Sequence, residues 1–418
     1  MKKMESIVPA LQETHRAAAR LRRAGRPERV RVLTDLADLL SENTGLILAE
    51  NRKDLERMEM SDPKYDRLLL SESRIVALAD SLREVSRLED PAGKVLLEKT
   101  LPNGIRLKKV TTPMGVVAAI FESRPNVTID VAALCLLSGN AAVLKGGKEA
   151  DFSNRIFVEL IHRALEHNGL PAEVVLLLPV DRKFTTELLQ ADRYIDLIIP
   201  RGSQGLIQFV RENSRIPTIE TGAGVCHVYV EKTADTDMAA EIIVNAKASR
   251  PSVCNSLDCV IVDHAVAGEL IPKLKAGFEK YTIEVFADDA ALPGFQKEGF
   301  RVHPAGADDF GREWLDFKVS VKTVNGPDEA LDHIRTYSSR HSEAIVTRDQ
   351  AVADRFLDEV DAAAVYHNAS TRFTDGGEFG LGAEIGISTQ KLHARGPFAL
   401  EKLVTEKWVA VGDGQVRW

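Results

Sequence analysis

The chain has 418 residues, of which 44% are hydrophobic, and its formal net charge is -8. That length provides material for two or three domains, each with its own core. The acidic balance excludes a general nucleic-acid binder, and no apolar run approaches the roughly 20 residues that a membrane-spanning helix needs. Four cysteines without framework spacing fit a reducing compartment, and no apolar region follows the positive charges at the N-terminus. We therefore expect a cytoplasmic protein that binds neither nucleic acid nor membrane.

The N-terminal part of the chain has a helical pattern that ends in a hairpin signal. From Glu5 to about Leu88, leucine, alanine and valine recur three or four residues apart among charged residues, a spacing typical of amphipathic helices. Two strand-like segments, residues 95–100 and 105–110, then flank Asn103 and Gly104. This pair favours a tight turn because it tolerates positive φ. We predict several helices followed by a β-hairpin.

From Gly115 onward the pattern changes to alternating strands and helices. The strand-like segments are residues 116–120, 141–145, 174–178, 195–199 and 226–230. Such alternation predicts an α/β fold with a parallel, doubly wound sheet. A second α/β set follows Asp235. It has a helix up to Ala248, strands at 260–262, 318–322 and 344–346, a helix at 327–337, and a final strand at 408–412.

A short polar loop in the second set carries Cys254. The other three cysteines stand in apolar runs, where a free cysteine behaves as a small hydrophobic residue: Cys135, Cys226 and Cys259. Arg250 lies four positions before Cys254, and Asn255 follows it directly. A nearby cation favours the thiolate, which is the nucleophilic form of cysteine. Cys254 is therefore the candidate nucleophile, with an inert loop cysteine as the alternative.

Three loops follow strands of the first set, at residues 121–128, 145–149 and 200–205. Parallel sheets bind ligands at the carboxyl ends of their strands, and glycines there let backbone N–H groups approach an anion. A tight turn explains any one of these loops, but three at one sheet edge favour a nucleotide site. The sequence lacks the G-x-G-x-x-G fingerprint of ordinary dinucleotide-binding turns.

Several motifs, taken in chain order, resemble those of the aldehyde dehydrogenase superfamily. They are Pro113-Met-Gly-Val-Val, Phe121-Glu-Ser-Arg-Pro-Asn-Val-Thr, Val143-Leu-Lys-Gly-Gly-Lys-Glu-Ala, Pro200-Arg-Gly-Ser, Ile219-Glu-Thr-Gly-Ala-Gly and Arg250-Pro-Ser-Val-Cys-Asn. The segment Glu384-Ile-Gly-Ile-Ser-Thr-Gln-Lys-Leu-His-Ala-Arg-Gly-Pro is narrower and resembles the γ-glutamyl phosphate reductase family. The resemblance covers nearly the whole chain. Ser252 departs from the pattern, since a glycine is expected there.

The resemblance implies the reduction of L-glutamyl 5-phosphate to L-glutamate 5-semialdehyde, the second step of proline biosynthesis. Cys254 would attack the acyl carbon and expel phosphate, and a nicotinamide cofactor would then reduce the resulting thioester. One alternative is another cysteine-dependent aldehyde dehydrogenase with a different substrate. A binding protein on an inactivated scaffold would show damage at Cys254 or in the strand-end loops, and both are intact. A cysteine hydrolase would not explain three nucleotide-type loops.

The resemblance also implies roles for residues around the nucleophile. The oxyanion of the tetrahedral intermediates needs donors, and we expect the Cys254 backbone N–H together with either Ser123 or Asn126. Glu220 stands where oxidising relatives have a water-activating glutamate. Two roles remain open for Glu220: a hydrogen-bond partner at a strand end, or a proton shuttle to the thiohemiacetal.

The charged ends of the substrate need cationic partners. Because a guanidinium matches phosphate and carboxylate geometry, we expect Arg250 to hold the phosphate and Arg124 or Arg372 the α-carboxylate. Asn255, beside the nucleophile, is grouped with these substrate-binding residues. For each arginine the alternative is a solvated surface residue or a structural ion pair.

The loop after the second predicted strand bears on the choice of cofactor. In NAD-selective relatives a glutamate three residues after the loop lysine accepts from the ribose hydroxyls, whereas here Lys145 is followed by Lys148. A lysine at that place attracts a 2′-phosphate, which favours NADPH over NADH; alternatively, Lys148 points to water. Glu313, from its family position, would hold the nicotinamide ribose. The predicted cofactor-binding residues are Lys145, Gly146, Gly147, Lys148, Gly202, Ser203, Gly222 and Glu313.

The resemblance further implies a division of the chain and a set of partners. We expect a cofactor-binding domain at 1–100 and 114–232, a catalytic domain at 233–385, and a bridging element at 101–113 and 386–418. The bridging element predicts a homo-oligomer, and the lability of acyl phosphates suggests transient contact with glutamate 5-kinase. No metal site is expected, because the histidines show no ligand spacing: His227, His341, His367 and His393.

Overall fold

A computed structural model describes residues 5–60, 62 and 65–417, and internal contacts divide them into two units. The first unit holds the described residues up to Thr221, together with Gly380–Gly386 and those from Phe398 onward. The second unit holds Gly222–Phe379 and Ile387–Pro397. Among the described helices, none has the length and apolar character that crossing a bilayer requires.

The first unit begins with helices that each bury one apolar face. Leu11, Ala18 and Leu21 lie three to seven residues apart on the buried side of the first helix, as a 3.6-residue period requires. The hydroxyl of Ser71 accepts from the Arg74 backbone N–H and caps the last helix of the group. The helical prediction for this region is confirmed. The helices are α1 (Val8–Arg23), α2 (Arg26–Glu42), α3 (Thr44–Leu55), α4 (Tyr65–Leu68) and α5 (Glu72–Arg87).

The predicted hairpin is also present. Strand β1 (Val95–Thr100) pairs antiparallel with β2 (Arg106–Pro113), and Gly104 in the turn has φ +87°. Glycine adopts this left-handed conformation without the steric cost of a β-carbon. The C-terminal strand β16 (Val404–Val411) pairs with the other edge of β2 and completes a three-stranded sheet.

A four-stranded parallel sheet forms the centre of the first unit. Its strands are β3 (Val116–Phe121), β4 (Ala141–Gly146), β5 (Val175–Leu177) and β6 (Leu197–Arg201), in the order β5-β4-β3-β6. All residues of β3 and β4 are buried, as expected when helices cover both faces. The helices that follow these strands in the chain are α6 (Asn126–Ser138), α7 (Asp151–His167), α8 (Arg182–Leu189) and α9 (Gln204–Asn213). Phe121 stands opposite both Gly146 and Arg201, so three strands end at the same edge.

The second unit contains a seven-stranded sheet in which all neighbouring strands are parallel. Its order is β10-β9-β11-β8-β7-β12-β13. The strands are β7 (Cys226–Val230), β8 (Leu257–Asp263), β9 (Glu284–Ala287), β10 (Val302–Pro304), β11 (Lys318–Val324), β12 (Ser342–Val346) and β13 (Ala364–His367). The helices are α10 (Thr236–Ala248), α11 (His264–Lys280), α12 (Leu292–Lys297), α13 (Pro327–Tyr337) and α14 (Gln350–Glu359). Two short strands, β14 (Gly386–Ser388) and β15 (Gly396–Phe398), form a separate ribbon.

Strand β7 lies in a different sheet from the one that the sequence pattern indicated. We grouped residues 226–230 with the first α/β set, but β7 pairs with β8 and β12 near the centre of the second sheet. The alternation of strands and helices predicts that β7 exists but not which strands it pairs with. The parallel α/β architecture itself is confirmed in both units.

Candidate active site

Cys254 lies in an irregular loop between α10 and β8, and it is partly exposed. Cys135, Cys226 and Cys259 are buried. Burial raises the pKa of each of these three thiols, which disfavours the nucleophilic thiolate form. Cys254 is consequently the cysteine that solvent can reach.

Asn255 anchors the loop that carries the candidate nucleophile, Cys254. Its side-chain N–H groups donate to the carbonyls of Thr374, at 2.9 Å, and Arg372, at 3.3 Å. Its side-chain oxygen accepts from the Arg372 guanidinium, and its backbone carbonyl accepts from the Thr371 hydroxyl at 2.8 Å. Since Asn255 is buried, these contacts indicate a structural role for its amide. Residues 371–374 hold the Cys254 loop in place through these hydrogen bonds. Of them, only Arg372 was predicted from the sequence to belong to the site.

Gly224 packs against the backbone of the nucleophile. A β-carbon built at this position would overlap the Cys254 carbonyl oxygen and stand 2.8 Å from the Cys254 α-carbon. The same carbonyl accepts from the Cys226 thiol at 3.2 Å. The Gly224 N–H donates to the Glu313 carboxylate at 2.8 Å. Glu313, predicted from family position to bind cofactor, thus contacts the glycine that supports Cys254.

Two arginines place positive charge near the nucleophile. The Arg372 guanidinium is partly buried, and its Nε donates to the Ser249 hydroxyl at 3.0 Å. Burial lowers the pKa of Arg372 most, and the positive charge of the exposed Arg250 lowers it further. Asp375 and, more weakly, Cys254 raise this pKa. The structure therefore brings together Cys254, Arg250 and Arg372. Such a cationic setting favours a thiolate and anionic substrate groups.

A buried ion pair connects the two elements that flank the nucleophile loop. Lys247, at the end of α10, lies 3.4 Å from the Asp258 carboxylate on β8. Burial lowers the pKa of Lys247 and raises that of Asp258 to about 7. The Asp258 carboxylate also accepts from the backbone N–H of Trp314, the residue after Glu313, at 3.0 Å. Sequence reasoning missed this pair, because neither residue belongs to a recognisable motif.

In the first unit, Ser123 and Glu149 join two of the strand-end loops. The Glu149 carboxylate accepts from both the backbone N–H of Ser123, at 2.7 Å, and its hydroxyl, at 2.9 Å. Ser123 is buried and has φ +48°, a left-handed conformation that is uncommon for a residue with a side chain. The single hydroxyl proton of Ser123 is therefore directed to Glu149.

A second carboxylate joins the first and third of these loops. Glu122 accepts from the Ser203 N–H at 3.0 Å, where the amides at the start of α9 offer donors to an anion. A β-carbon on Gly202 would stand 2.6 Å from the same carboxylate. The Ser203 hydroxyl in turn accepts from the Leu206 N–H and caps α9.

The lysines of the β4 loop differ in exposure. Lys145 is buried, and its ammonium group donates to the Val180 carbonyl at 3.1 Å; burial lowers its pKa. Lys148 is exposed at the start of a short 3₁₀ turn. The glycines between them pack closely, because a β-carbon on Gly146 would overlap the Asn154 amide and one on Gly147 the Glu149 carboxylate.

The remaining predicted residues have ordinary surroundings. Asn126 begins α6 and donates to Asp130 at 3.0 Å; burial raises the pKa of Asp130 to about 6, and this donor opposes the rise. Arg124, in the loop before α6, is partly exposed. Glu220 lies 3.8 Å from Arg211 on α9. Gly222 donates its N–H to the Ile387 carbonyl at 3.2 Å.

The combination of a parallel-sheet unit with three strand-end loops and an α/β unit with one accessible cysteine defines a class of protein. The sequence profile of the aldehyde dehydrogenase family matches residues 2–293. The chain belongs to the aldehyde dehydrogenase family.

Relatives within that family match the chain over its whole length. It is 52% identical over 421 residues to the gamma-glutamyl phosphate reductase of Chlorobaculum parvum, and the match covers 100% of both chains. The crystal structure of gamma-glutamyl phosphate reductase from Thermotoga maritima is similar, with a TM-score of 0.93, 39% identity, and coverage of 99% of this chain and 100% of that one. An engineered glycolyl-CoA reductase with bound NADP⁺ shares the fold, with a TM-score of 0.69 and 17% identity over 97% of this chain and 96% of that one.

Proposed function

We propose that this chain reduces L-glutamyl 5-phosphate to L-glutamate 5-semialdehyde and phosphate, the second step of proline biosynthesis. The observation that supports this most directly is Cys254, the accessible thiol, in a loop whose neighbours include Arg250 and Arg372. The full-length relatives named gamma-glutamyl phosphate reductase support the choice of substrate.

The proposed chemistry begins with attack of the Cys254 thiolate on the acyl carbon. A carbon–sulfur bond forms, the bond to the phosphate oxygen breaks, and phosphate leaves with the electron pair. Arg250 would offset the charge of the leaving phosphate, while Arg372 or Arg124 would hold the α-carboxylate. When bound, the nicotinamide cofactor supplies the hydride that reduces the thioester carbon. The resulting thiohemiacetal releases the aldehyde and returns the thiolate.

An oxyanion forms in both halves of this reaction and needs hydrogen-bond donors. The Cys254 backbone N–H is one proposed donor, and Ser123 or Asn126 is the other. A serine hydroxyl has one proton, and that of Ser123 is donated to Glu149. A carboxamide has two, of which Asn126 donates one to Asp130. This difference favours Asn126 as the second donor.

The family's cofactors are nicotinamide dinucleotides, and we propose that this chain uses NADPH. Three strands of the first unit end at one edge, which fits a dinucleotide. Lys148 is exposed there. Glu149, which could otherwise accept from a ribose hydroxyl, is engaged with Ser123. Residues proposed to hold the cofactor are Lys145, Gly146, Gly147, Lys148, Gly202, Ser203, Gly222 and Glu313.

For Glu220 we favour the proton shuttle to the thiohemiacetal. A thioester made from an acyl phosphate does not need water activation, because hydrolysis would waste it. The alternative is a purely structural hydrogen-bond partner.

The test of the proposed function is the reverse reaction. Pyrroline-5-carboxylate and NADP⁺ should yield NADPH only when inorganic phosphate is present, and Cys254→Ser should abolish the activity while NADPH still binds. Aldehyde oxidation at the same rate without phosphate would instead support a different aldehyde dehydrogenase. A fully active Cys254→Ser variant would remove Cys254 from the mechanism.

The assembly and setting of the enzyme remain proposals. We propose a homo-oligomer, because large apolar side chains are exposed on the β1–β2–β16 sheet: Val95, Leu96, Leu97, Trp408 and Val411. Transient contact with glutamate 5-kinase would protect a labile acyl phosphate from water. A cytoplasmic location fits the four free cysteines. The division into cofactor-binding (1–100 and 114–232), catalytic (233–385) and bridging (101–113 and 386–418) parts likewise remains a functional prediction.

A further inference from the structure

A row of buried polar side chains crosses the sheet of the second unit. Glu343 on β12 stands opposite His227 on β7, His227 stands opposite Cys259 on β8, and Cys259 stands opposite Ser320 on β11. Partners in adjacent strands project from the same face. All four residues have no exposed surface. The next residues on this face of three of these strands are apolar, namely Tyr229, Ile261 and Ile345.

Helix α13 covers this face and adds His333 to the row. The His333 Nε2 lies 3.6 Å from the Cys259 sulfur, and the rings of His227 and His333 meet edge to face, with centroids 5.6 Å apart. One nitrogen of each imidazole and the Cys259 sulfur all lie within 4.8 Å of one another. A tetrahedral zinc site places nitrogen and sulfur about 3.6 Å apart and two nitrogens about 3.3 Å apart, given its usual bond lengths. The Cys259–His333 separation already matches such a site, and the three atoms could occupy three of its four corners.

The hydrogen bonds of His227 orient its imidazole ring in the way that is usual for a metal ligand. Its Nδ1 lies 2.9 Å from the Glu343 carboxylate, which also accepts from the His227 backbone N–H. Its Nε2 is buried, and the described residues offer it no hydrogen-bond partner. A proton on Nδ1 leaves a lone pair on Nε2. In metal sites, a histidine ligand usually donates the N–H of its other ring nitrogen to a carboxylate, which fixes the orientation of the imidazole.

We propose that His227, Cys259 and His333 bind a transition-metal ion of borderline softness, with Zn²⁺ as the best fit. Two imidazoles and a thiolate prefer zinc over magnesium or calcium. Binding forms the zinc–sulfur bond and releases the thiol proton to water. The Cys259 thiolate and the Glu343 carboxylate together offset the double positive charge. The ion would tie β7, β8 and α13 together, so its role would be to stabilise the second unit.

Cobalt is a suitable probe, because Co²⁺ replaces Zn²⁺ and gives thiolate-to-metal charge-transfer absorption that identifies a cysteine ligand. The parent for the experiment is the full chain carrying Cys254→Ser, since the accessible thiol would capture metal by itself. We expect one Co²⁺ per chain with the charge-transfer band, displacement of Co²⁺ by Zn²⁺, and a higher unfolding temperature with either metal.

Three further variants of this parent decide the assignment. Cys259→Ser should lose the charge-transfer band. His333→Phe, which keeps a ring beside Phe310 and Tyr337, should bind at least tenfold more weakly while the chain stays folded. Cys135→Ser, at a buried cysteine on α6, is the matched control and should bind like the parent. The proposal is overturned if the parent binds no metal, or if His333→Phe and Cys259→Ser both bind as the parent does.

Discussion

The backbone of Cys254 lies against Gly224 so closely that a β-carbon at residue 224 would overlap the Cys254 carbonyl oxygen. The N–H of the same glycine donates to the Glu313 carboxylate at 2.8 Å. The position of Cys254, the proposed nucleophile, therefore depends on a residue that has no side chain. The glycine's role is steric, because the space a side chain would need is already filled by the loop.

This contact predicts that Gly224→Ala lowers kcat. The added methyl group must displace the Cys254 loop, and a misplacement of about 1 Å can cost roughly 100-fold in rate. Gly268→Ala on α11 is the control, because nothing lies within 4 Å of a β-carbon there. It should leave kcat unchanged and stabilise the helix by about 0.5–1 kcal/mol. Steady-state kinetics measures kcat, and urea unfolding measures the change in stability. A Gly224→Ala enzyme with normal kcat would show that the Cys254 loop can move to make room for the methyl group without loss of activity.

Arg372→Lys should raise the KM for the acyl phosphate more than it lowers kcat. Lysine keeps the charge but loses the planar group that contacts Ser249 and Asn255. Losing charge-assisted hydrogen bonds to substrate corresponds to a change of about 10- to 100-fold. Arg335→Lys, on the exposed side of α13, should alter KM less than twofold. Equal KM values for the two variants would make Arg372 a purely structural residue.

Lys148→Glu should shift the preference from NADPH toward NADH. The exposed ammonium group would be replaced by an acceptor for the free ribose hydroxyl, and the resulting carboxylate would repel a 2′-phosphate. We expect the ratio of kcat/KM for the two cofactors to change by about tenfold or more. Lys99→Glu, an exposed lysine on β1, makes the same charge change elsewhere and should leave the ratio as it is. An unaltered ratio in Lys148→Glu would rule out this residue as the selector.

The oxyanion donor can be assigned by comparing two substitutions. Asn126→Ala should lower kcat by about 10²- to 10³-fold, the cost of removing one oxyanion donor. Ser123→Ala should have a much smaller effect on kcat, because its hydroxyl proton is already donated to Glu149. Thermal unfolding of both variants checks that folding is preserved. The opposite order of effects would assign the role to Ser123.

Removing the ammonium group of Lys247 should destabilise the chain in a pH-dependent way. Burial raises the pKa of Asp258 from 3.8 to about 7, so between these values the folded chain retains a proton that the unfolded chain has released. The favourable contribution of Asp258 to stability is therefore complete below pH 3.8 and is lost as pH rises through about 7. Lys247 lowers this pKa. In Lys247→Met this pKa should rise further, so the free energy of unfolding should continue to fall with pH above 7.

At neutral pH the loss in Lys247→Met should stay below the roughly 3–5 kcal/mol that an unpaired buried charge costs, because Asp258 takes up a proton instead. Adding Asp258→Asn should recover much of that stability and flatten the pH dependence. The pair of partly exposed Lys273 and exposed Asp237 is the control, and Lys273→Met should change the stability little. Urea unfolding at several pH values measures these effects. A pH-independent loss in Lys247→Met would contradict the assigned ionisation of Asp258.

Local signals predicted much of the fold. Helix α13 begins and ends at the predicted residues, and the hairpin turns at Gly104. These elements depend on hydrophobic period and turn residues that lie within a few positions of one another. The same locality explains the error at β7. Its apolar pattern predicts a buried strand equally well in either sheet, and only packing decides which neighbours it pairs with.

For the candidate site too, some residues could be predicted from the sequence and others only from the tertiary structure. The sequence by itself singled out Cys254 as the candidate nucleophile, because a cysteine in a polar loop differs from three in apolar runs, and the ordered motifs identified the family. The role of Asn255 required the tertiary structure, since its amide bonds to Thr374, which is 119 positions away.

His227, Cys259 and His333 show no ligand spacing along the chain, yet strand register and a covering helix bring them within 4.8 Å of one another. Neighbouring residues in the sequence are enough to indicate a loop cysteine, a turn or a helix. Hydrogen bonds, ion pairs and clusters across strands arise only when the folded chain makes distant residues adjacent.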